Sequence, residues 1–139
     1  SASIVVASKA PHLPGLQQEF GELPWLNMLV DCNNMAELML QADIAIGASG
    51  STAWERCCLG LPTITLVCAE NQLTIADNLE RAGASINLGW FNQVSVQTLQ
   101  DKLESLIIDT ESYQQLVKQS FSCCDGLGVT RTAKTLLRT

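Results

Sequence analysis

Short apolar runs alternate along this chain with longer stretches in which apolar positions recur every three or four residues. The runs at residues 3–8, 26–30, 44–46, 62–68 and 84–88 are rich in Val, Ile, Leu and Thr and predict strands. Helical spacing predicts a short helix on Leu13, Leu16 and Phe20, after Pro11 and Pro14 break the chain. It predicts further helices at 35–41, with Asn34 as N-cap, at 52–59, stopped by Gly60, and at 71–81, ending near Gly83. Three more fall at 96–108, 113–121 and 129–137. Strand followed by helix, repeated about five times, implies an α/β fold: a Rossmann-like parallel sheet with helices on both faces. Sequence repeats, low-complexity segments and an internal linker are all lacking, so residues 1–139 are expected to form one domain.

Composition narrows the class. A chain of 139 residues, 47% hydrophobic and 16% charged, is long enough and apolar enough for a core. Its 14 acidic and 8 basic side chains give a net charge of -6. An acidic chain without a basic run, and with 5% aromatics, is a poor partner for nucleic acid or an anionic membrane surface. No apolar stretch approaches the roughly 18 residues a spanning helix needs, and the first residues lack the basic start of a signal peptide. A cytoplasmic protein is expected, and a strand that begins at once reads as a piece of something longer. Six cysteines, at 32, 57, 58, 68, 123 and 124, include two adjacent pairs but no Cys-x-x-Cys spacing. They read as reduced, mostly buried thiols rather than a disulfide framework or zinc site. No cluster of His, Cys, Asp or Glu has metal spacing, so metal independence is expected, and no cofactor is called for.

In open α/β sheets, ligands bind beyond the carboxyl ends of strands, near helix N-termini. Two such junctions carry candidate chemistry. Gly47-Ala48-Ser49-Gly50-Ser51-Thr52 follows a predicted strand and opens a predicted helix. Its glycines allow close backbone approach, and its hydroxyls, amides and helix start suit a phosphate or diphosphate. The competing reading is a capping box, Thr52-x-x-Glu55, that occupies both side chains with backbone. A Walker loop is excluded, because no Lys follows the glycines. The second junction, Cys68-Ala69-Glu70-Asn71-Gln72, places polar side chains after one strand and before the next helix. There Asn71 also reads as a plain N-cap and Glu70 as a charge suited to a helix start. His12, the sole histidine, sits in a Pro-rich loop distant in sequence from both junctions. Asp31 and Asp43 read as cap and loop residues, and Trp54 as core.

The stretch from Ala42-Asp43 through the turn Ala48-Ser49-Gly50-Ser51 to Glu55, Gly60 and Pro62 resembles the C-terminal half of GT-B-fold nucleotide-sugar enzymes, including the N-acetylglucosaminyltransferase that makes lipid II. With Trp54-Glu55-Arg56-Cys57-Cys58, Ala69-Glu70-Asn71-Gln72 and Asp125-Gly126-Leu127-Gly128 added, it looks more closely like the UDP-sugar hydrolases of pseudaminic acid biosynthesis. The likeness is specific over residues 42–83 and loose elsewhere.

That resemblance implies a two-domain enzyme with its active site in an interdomain cleft, this chain being most of the UDP-binding C-terminal half. The N-terminal domain, with the catalytic base, would be the missing partner; His12 matches no family catalytic position, so no catalytic residue is assigned here. Ser49, Gly50, Ser51 and Thr52 would hold the diphosphate of a UDP-sugar. Glu55 would accept both ribose hydroxyls. The backbone near Cys32 and Asn33 would read the uracil edge, and Asn71 and Gln72 would approach the sugar or diphosphate. The lipid II enzyme has an arginine where Ala48 stands, so charge neutralisation is expected from backbone dipoles. The implied reaction is hydrolysis of a UDP-acetamido-deoxy sugar. Two alternatives stand beside it: the donor-binding half of a GT-B glycosyltransferase, and a non-enzymatic binding or interaction module.

Overall fold

The computed structural model describes residues 1–137. Parallel strands alternate with helices through residue 108, as the periodicity predicts, and two further helices follow. Two compact units divide the chain, one of residues 1–37 and one from Leu38 onward.

The first unit holds β1 (Ala2–Val6), α1 (Leu13–Phe20) and β2 (Leu26–Val30). β1 and β2 pair in parallel, from Ala2 opposite Leu26 to Val6 opposite Val30. β1 ends earlier than the apolar run suggests because the chain turns at Ala7, whose carbonyl accepts from Ala10 N at 2.9 Å. Asp31 then ties the two strand ends together. Its amide donates to the Val6 carbonyl at 3.0 Å, and its carboxylate accepts from Ser8 N at 2.8 Å. It adopts φ 51°, the left-handed region that Asp tolerates better than most residues. α2 (Met35–Leu40) follows, and the Asn34 side-chain amide donates to the Glu37 carboxylate.

The second unit is built on β3 (Ala45–Ala48), β4 (Thr63–Val67) and β5 (Ile86–Trp90), all parallel, with β4 central. Ile64, Thr65 and Val67 of β4 are wholly buried, as expected for a central parallel strand covered on both faces. Ile64 packs with Leu106 of α5 (Val96–Ile108) and Leu116 of α6 (Thr110–Cys123). A second cluster joins Ala53 and Cys57 of α3 (Thr52–Cys58) to Leu79 of α4 (Leu73–Arg81) and to Ala84. α7 (Gly128–Leu136) follows.

Two helix ends explain most of the shifted boundaries. α3 closes in a Schellman motif: Leu61 N donates to the Arg56 carbonyl and Gly60 N to that of Cys57, each at 3.0 Å, with Gly60 at φ 62°. α4 closes the same way, Ala84 N to Leu79 and Gly83 N to Glu80, each at 2.8 Å, with Gly83 at φ 67°. Ala84 is therefore part of a helix cap, and β5 begins two residues later than its apolar run. The strand runs on through Gly89, at φ 83°, where the pairing with β4 shifts register. α6 begins at Thr110 rather than 113 because Asp109 caps it, its carboxylate accepting from Ser112 N at 3.0 Å.

Candidate functional site

The first predicted junction is the tight passage from β3 into α3. Ser49 N still donates to the Leu66 carbonyl at 3.2 Å, so the turn leaves the sheet from a fixed point. Ala53 N then bonds the Gly50 carbonyl at 3.0 Å and Trp54 N that of Ser51 at 3.1 Å, which starts the helix at once. Ser49 is wholly buried, and no protein group partners its hydroxyl among the described residues. Ser51 is exposed at the N-cap and makes no side-chain cap bond.

The capping-box reading of Thr52 and Glu55 fails here. Thr52 lies inside the helix, and its hydroxyl oxygen accepts from Arg56 Nη1 at 3.5 Å instead. Glu55 projects outward, and among the described residues no hydrogen bond or ion pair holds its carboxylate. Inward positions recur at i, i+3 and i+4, so Ala53, Arg56 and Cys57 are buried. Trp54, next to them, falls on the outer face, 39% exposed, which corrects its reading as core.

Arg56 is the residue that sequence reasoning missed. Only 7% exposed, it donates from Nη2 to the Ala48 carbonyl at 2.7 Å, tying the helix to the end of β3. Burial pushes its guanidinium below the ordinary arginine value, and its Nε has no partner. The sole ion pair among the described residues joins Arg131 to Asp125, so Arg56 makes no ion pair, although the neighbouring Glu55 carboxylate favours its charge in part. A cation therefore lies against the turn, where backbone dipoles alone were expected. Gly47 serves it: a β-carbon there would stand 2.9 Å from Arg56 Nη1, so the glycine makes room for the guanidinium. The signal was a basic residue four places after Thr52 on the face shared with Ala53 and Cys57.

The second junction meets the first through Gln72. Residues Glu70–Gln72 form a 3-10 turn before α4. The Gln72 side-chain carbonyl accepts from Cys68 N at 3.0 Å. Its amide nitrogen would lie 3.9 Å from a β-carbon at Gly50. Asn71 is exposed in the same turn and makes no side-chain cap bond. The structure thus gathers Ser49, Gly50, Ser51, Thr52 and Gln72 at the carboxyl ends of β3 and β4, with Glu55 and Asn71 on the adjoining elements. Cys32 and Asn33 lie in the first unit, just past β2. His12 is exposed at the start of α1, as a loop histidine should be. The cysteines are less buried than expected: Cys57 is enclosed, Cys68 is exposed beyond β4, and the other four are half-buried.

Comparison with known proteins gives this geometry a context. The chain is 30% identical over 132 residues to the spore coat polysaccharide biosynthesis protein SpsG of Bacillus subtilis, covering 95% of this chain and 39% of that protein. It is 30% identical over 107 residues to the UDP-N-acetylglucosamine–N-acetylmuramyl-(pentapeptide) pyrophosphoryl-undecaprenol N-acetylglucosamine transferase of Lactococcus lactis, covering 73% of this chain and 30% of that one. It thus spans well under half the length of these relatives. Among solved structures, a UDP-N-acetylglucosamine 2-epimerase superposes with TM-score 0.71 at 16% identity, over 97% of this chain and 35% of the other. The glycotransferase of kitacinnamycin does so with TM-score 0.64 at 16% identity, over 99% and 43%. These two likenesses speak for a shared GT-B-like fold. No helix among the described residues is long and apolar enough to cross a membrane. The glycosyltransferase family 28 C-terminal domain matches residues 6–134, and the chain belongs to that family.

Proposed function

We propose that this chain is the nucleotide-sugar-binding half of a GT-B glycosyltransferase of polysaccharide biosynthesis, and that it holds the UDP of the donor. One observation carries the reading. In a family 28 C-terminal domain, the β3–α3 turn joins a buried unpartnered Ser49 hydroxyl and a buried Arg56 without an ion pair to an outward Glu55 carboxylate that no hydrogen bond or ion pair holds among the described residues. Ser49, Gly50, Ser51 and Thr52 would meet the diphosphate through N–H and hydroxyl groups, with Arg56 adding positive charge from beneath. Glu55 would accept the two ribose hydroxyls, and Asn71 and Gln72 would approach the sugar or diphosphate. As the bond from the anomeric carbon to UDP breaks, negative charge grows on the leaving diphosphate. A preorganised turn and a fixed cation stabilise that charge without reorganising at the moment of reaction. The acceptor site, and the base that deprotonates the acceptor, would come from an N-terminal domain of the same enzyme.

A second reading, hydrolysis of the UDP-sugar by water, keeps the same donor site. It is favoured by the motif Trp54-Glu55-Arg56-Cys57-Cys58 with Ala69-Glu70-Asn71-Gln72. Release of UDP and free sugar by the two-domain enzyme without acceptor would select it. For the shared donor site, the test is calorimetric titration of this chain with UDP, and with ADP and GDP as controls. Selective UDP binding, weakened by about 1.5–3 kcal/mol in Glu55→Ala, is expected for a hydrogen bond to a charged group. Equal affinity for the three nucleotides, or an unaffected Glu55→Ala variant, would overturn it.

A further inference from the structure

The adjacent cysteine pairs, at the ends of α3 and α6, have no part in the donor site. Cys57 and Cys58 close α3, and Cys123 closes α6 with Cys124 just beyond it. Helix packing brings the pairs together across 66 residues of sequence: the sulfurs of Cys58 and Cys124 are 3.0 Å apart. Cys57, Cys123 and Cys124 also belong to one apolar cluster with Ala53, Leu79 and Ala84. Among the described residues no three His, Cys, Asp or Glu side chains converge as metal ligands.

We propose that Cys58 and Cys124 form a redox modification site, a reversible disulfide that staples the end of α3 to the end of α6. Closing 3.0 Å to the roughly 2.05 Å of a disulfide needs about one ångström of movement. Both residues sit where a helix ends, so side-chain rotation and a small shift of the last turn supply it. The segment at Gly126 adjoins the pair, as a β-carbon there would stand in ordinary contact, 3.7 Å from Cys58 Sγ. Cys58 is half-buried and so within reach of a small oxidant, whereas Cys57 is enclosed at 2% exposure. The oxidant is a small-molecule disulfide. One thiolate of the pair attacks it, forming a mixed disulfide and releasing the first thiol. The second protein thiolate then attacks the protein sulfur of that mixed disulfide and displaces the other small thiol. Two protein thiols become one disulfide, and the oxidant is reduced to two thiols. The hydrogen bond to Cys124, more than burial, pushes the Cys58 thiol above its ordinary value, so Cys58 rests as a thiol until such an oxidant is present. The same helix carries Thr52 and Glu55 at its other end, so the staple fixes the element that bears the candidate site.

The test treats the folded chain with oxidised glutathione at mildly alkaline pH, then follows intact mass and the unfolding midpoint. A loss of about 2 Da without a glutathione adduct at this pair, reversed by dithiothreitol, is expected. The midpoint should rise by about 10 °C, because the link closes a long loop in the unfolded chain. Cys57→Ser and Cys123→Ser should keep the link, whereas Cys58→Ser and Cys124→Ser should each lose it and acquire an adduct instead. Should either of the latter misfold, Cys58→Ala or Cys124→Ala serves in its place. A link mapped to Cys57 or Cys123, or adducts at Cys58 and Cys124 with no intramolecular link in the wild type, would overturn the proposal.

Discussion

Gly60→Ala separates two costs at the end of the helix that bears the candidate site. Gly60 is buried at φ 62°, and a β-carbon there would clash with the Phe121 ring of α6. An L-residue in that left-handed conformation costs about 1–2 kcal/mol whatever its surroundings. The clash adds a second cost, because the Phe121 ring must swing away. Phe121 is already 54% exposed, so its packing contributes about half of a fully buried side chain, or about 1 kcal/mol. The sum is about 2–3 kcal/mol, which lowers the unfolding midpoint of a 139-residue chain by about 10 °C. The assay is denaturant unfolding of wild type, Gly60→Ala, Phe121→Ala and the double variant. In the Phe121→Ala background only the backbone cost remains, so the two changes should couple by about 1 kcal/mol. An equal cost in both backgrounds would refute the contact with α6. A cost under about 0.5 kcal/mol in the wild type would refute the left-handed cap itself.

Ile64→Ala, at the wholly buried centre of β4 between Leu106 and Leu116, should cost about 2–5 kcal/mol; a loss below about 1 kcal/mol in the same assay would place the core elsewhere. Asp109 has its carboxyl held below the ordinary value by hydrogen bonds from the Ser112 hydroxyl and amide, so the unfolded chain binds the proton more tightly. The stability it contributes is present above the ordinary carboxylate value and is lost as pH falls through the depressed folded one. Asp109→Asn keeps a capping oxygen, so its stability should fall less steeply in acid; identical acid limbs would sink that role. The Cys57 thiol is pushed up to about 11, chiefly by burial, whereas Cys68 is exposed. Iodoacetamide at neutral pH should label Cys68 first and Cys57 last, read by peptide mass spectrometry, and early labelling of Cys57 would mean that α3 opens readily.

The alternation of strand and helix, both Schellman glycines and the turn at Ser49–Thr52 were legible in the sequence, because each depends on local forces. A β-branched run, a glycine that alone accepts a left-handed φ, and small residues between strand and helix act over a few positions whatever surrounds them. Where local signals competed, neighbours in space decided. Ala84 has the apolar character of a strand residue, yet its amide closes α4 and it packs with Ala53, Cys57 and Leu79. Thr52 and Glu55 have capping-box spacing, but helix α3 starts a residue too early for the box to form. Arg56 reads in sequence as one charge among many. Only the packing of α3 against the sheet buries it and aims its guanidinium at the Ala48 carbonyl. The meeting of Cys58 with Cys124 and of Gln72 with Gly50 likewise depends on the register between elements far apart in the chain. Local propensity chooses the elements and their caps. Burial, which is settled only when helices and strands pack, chooses which polar groups are left without a partner.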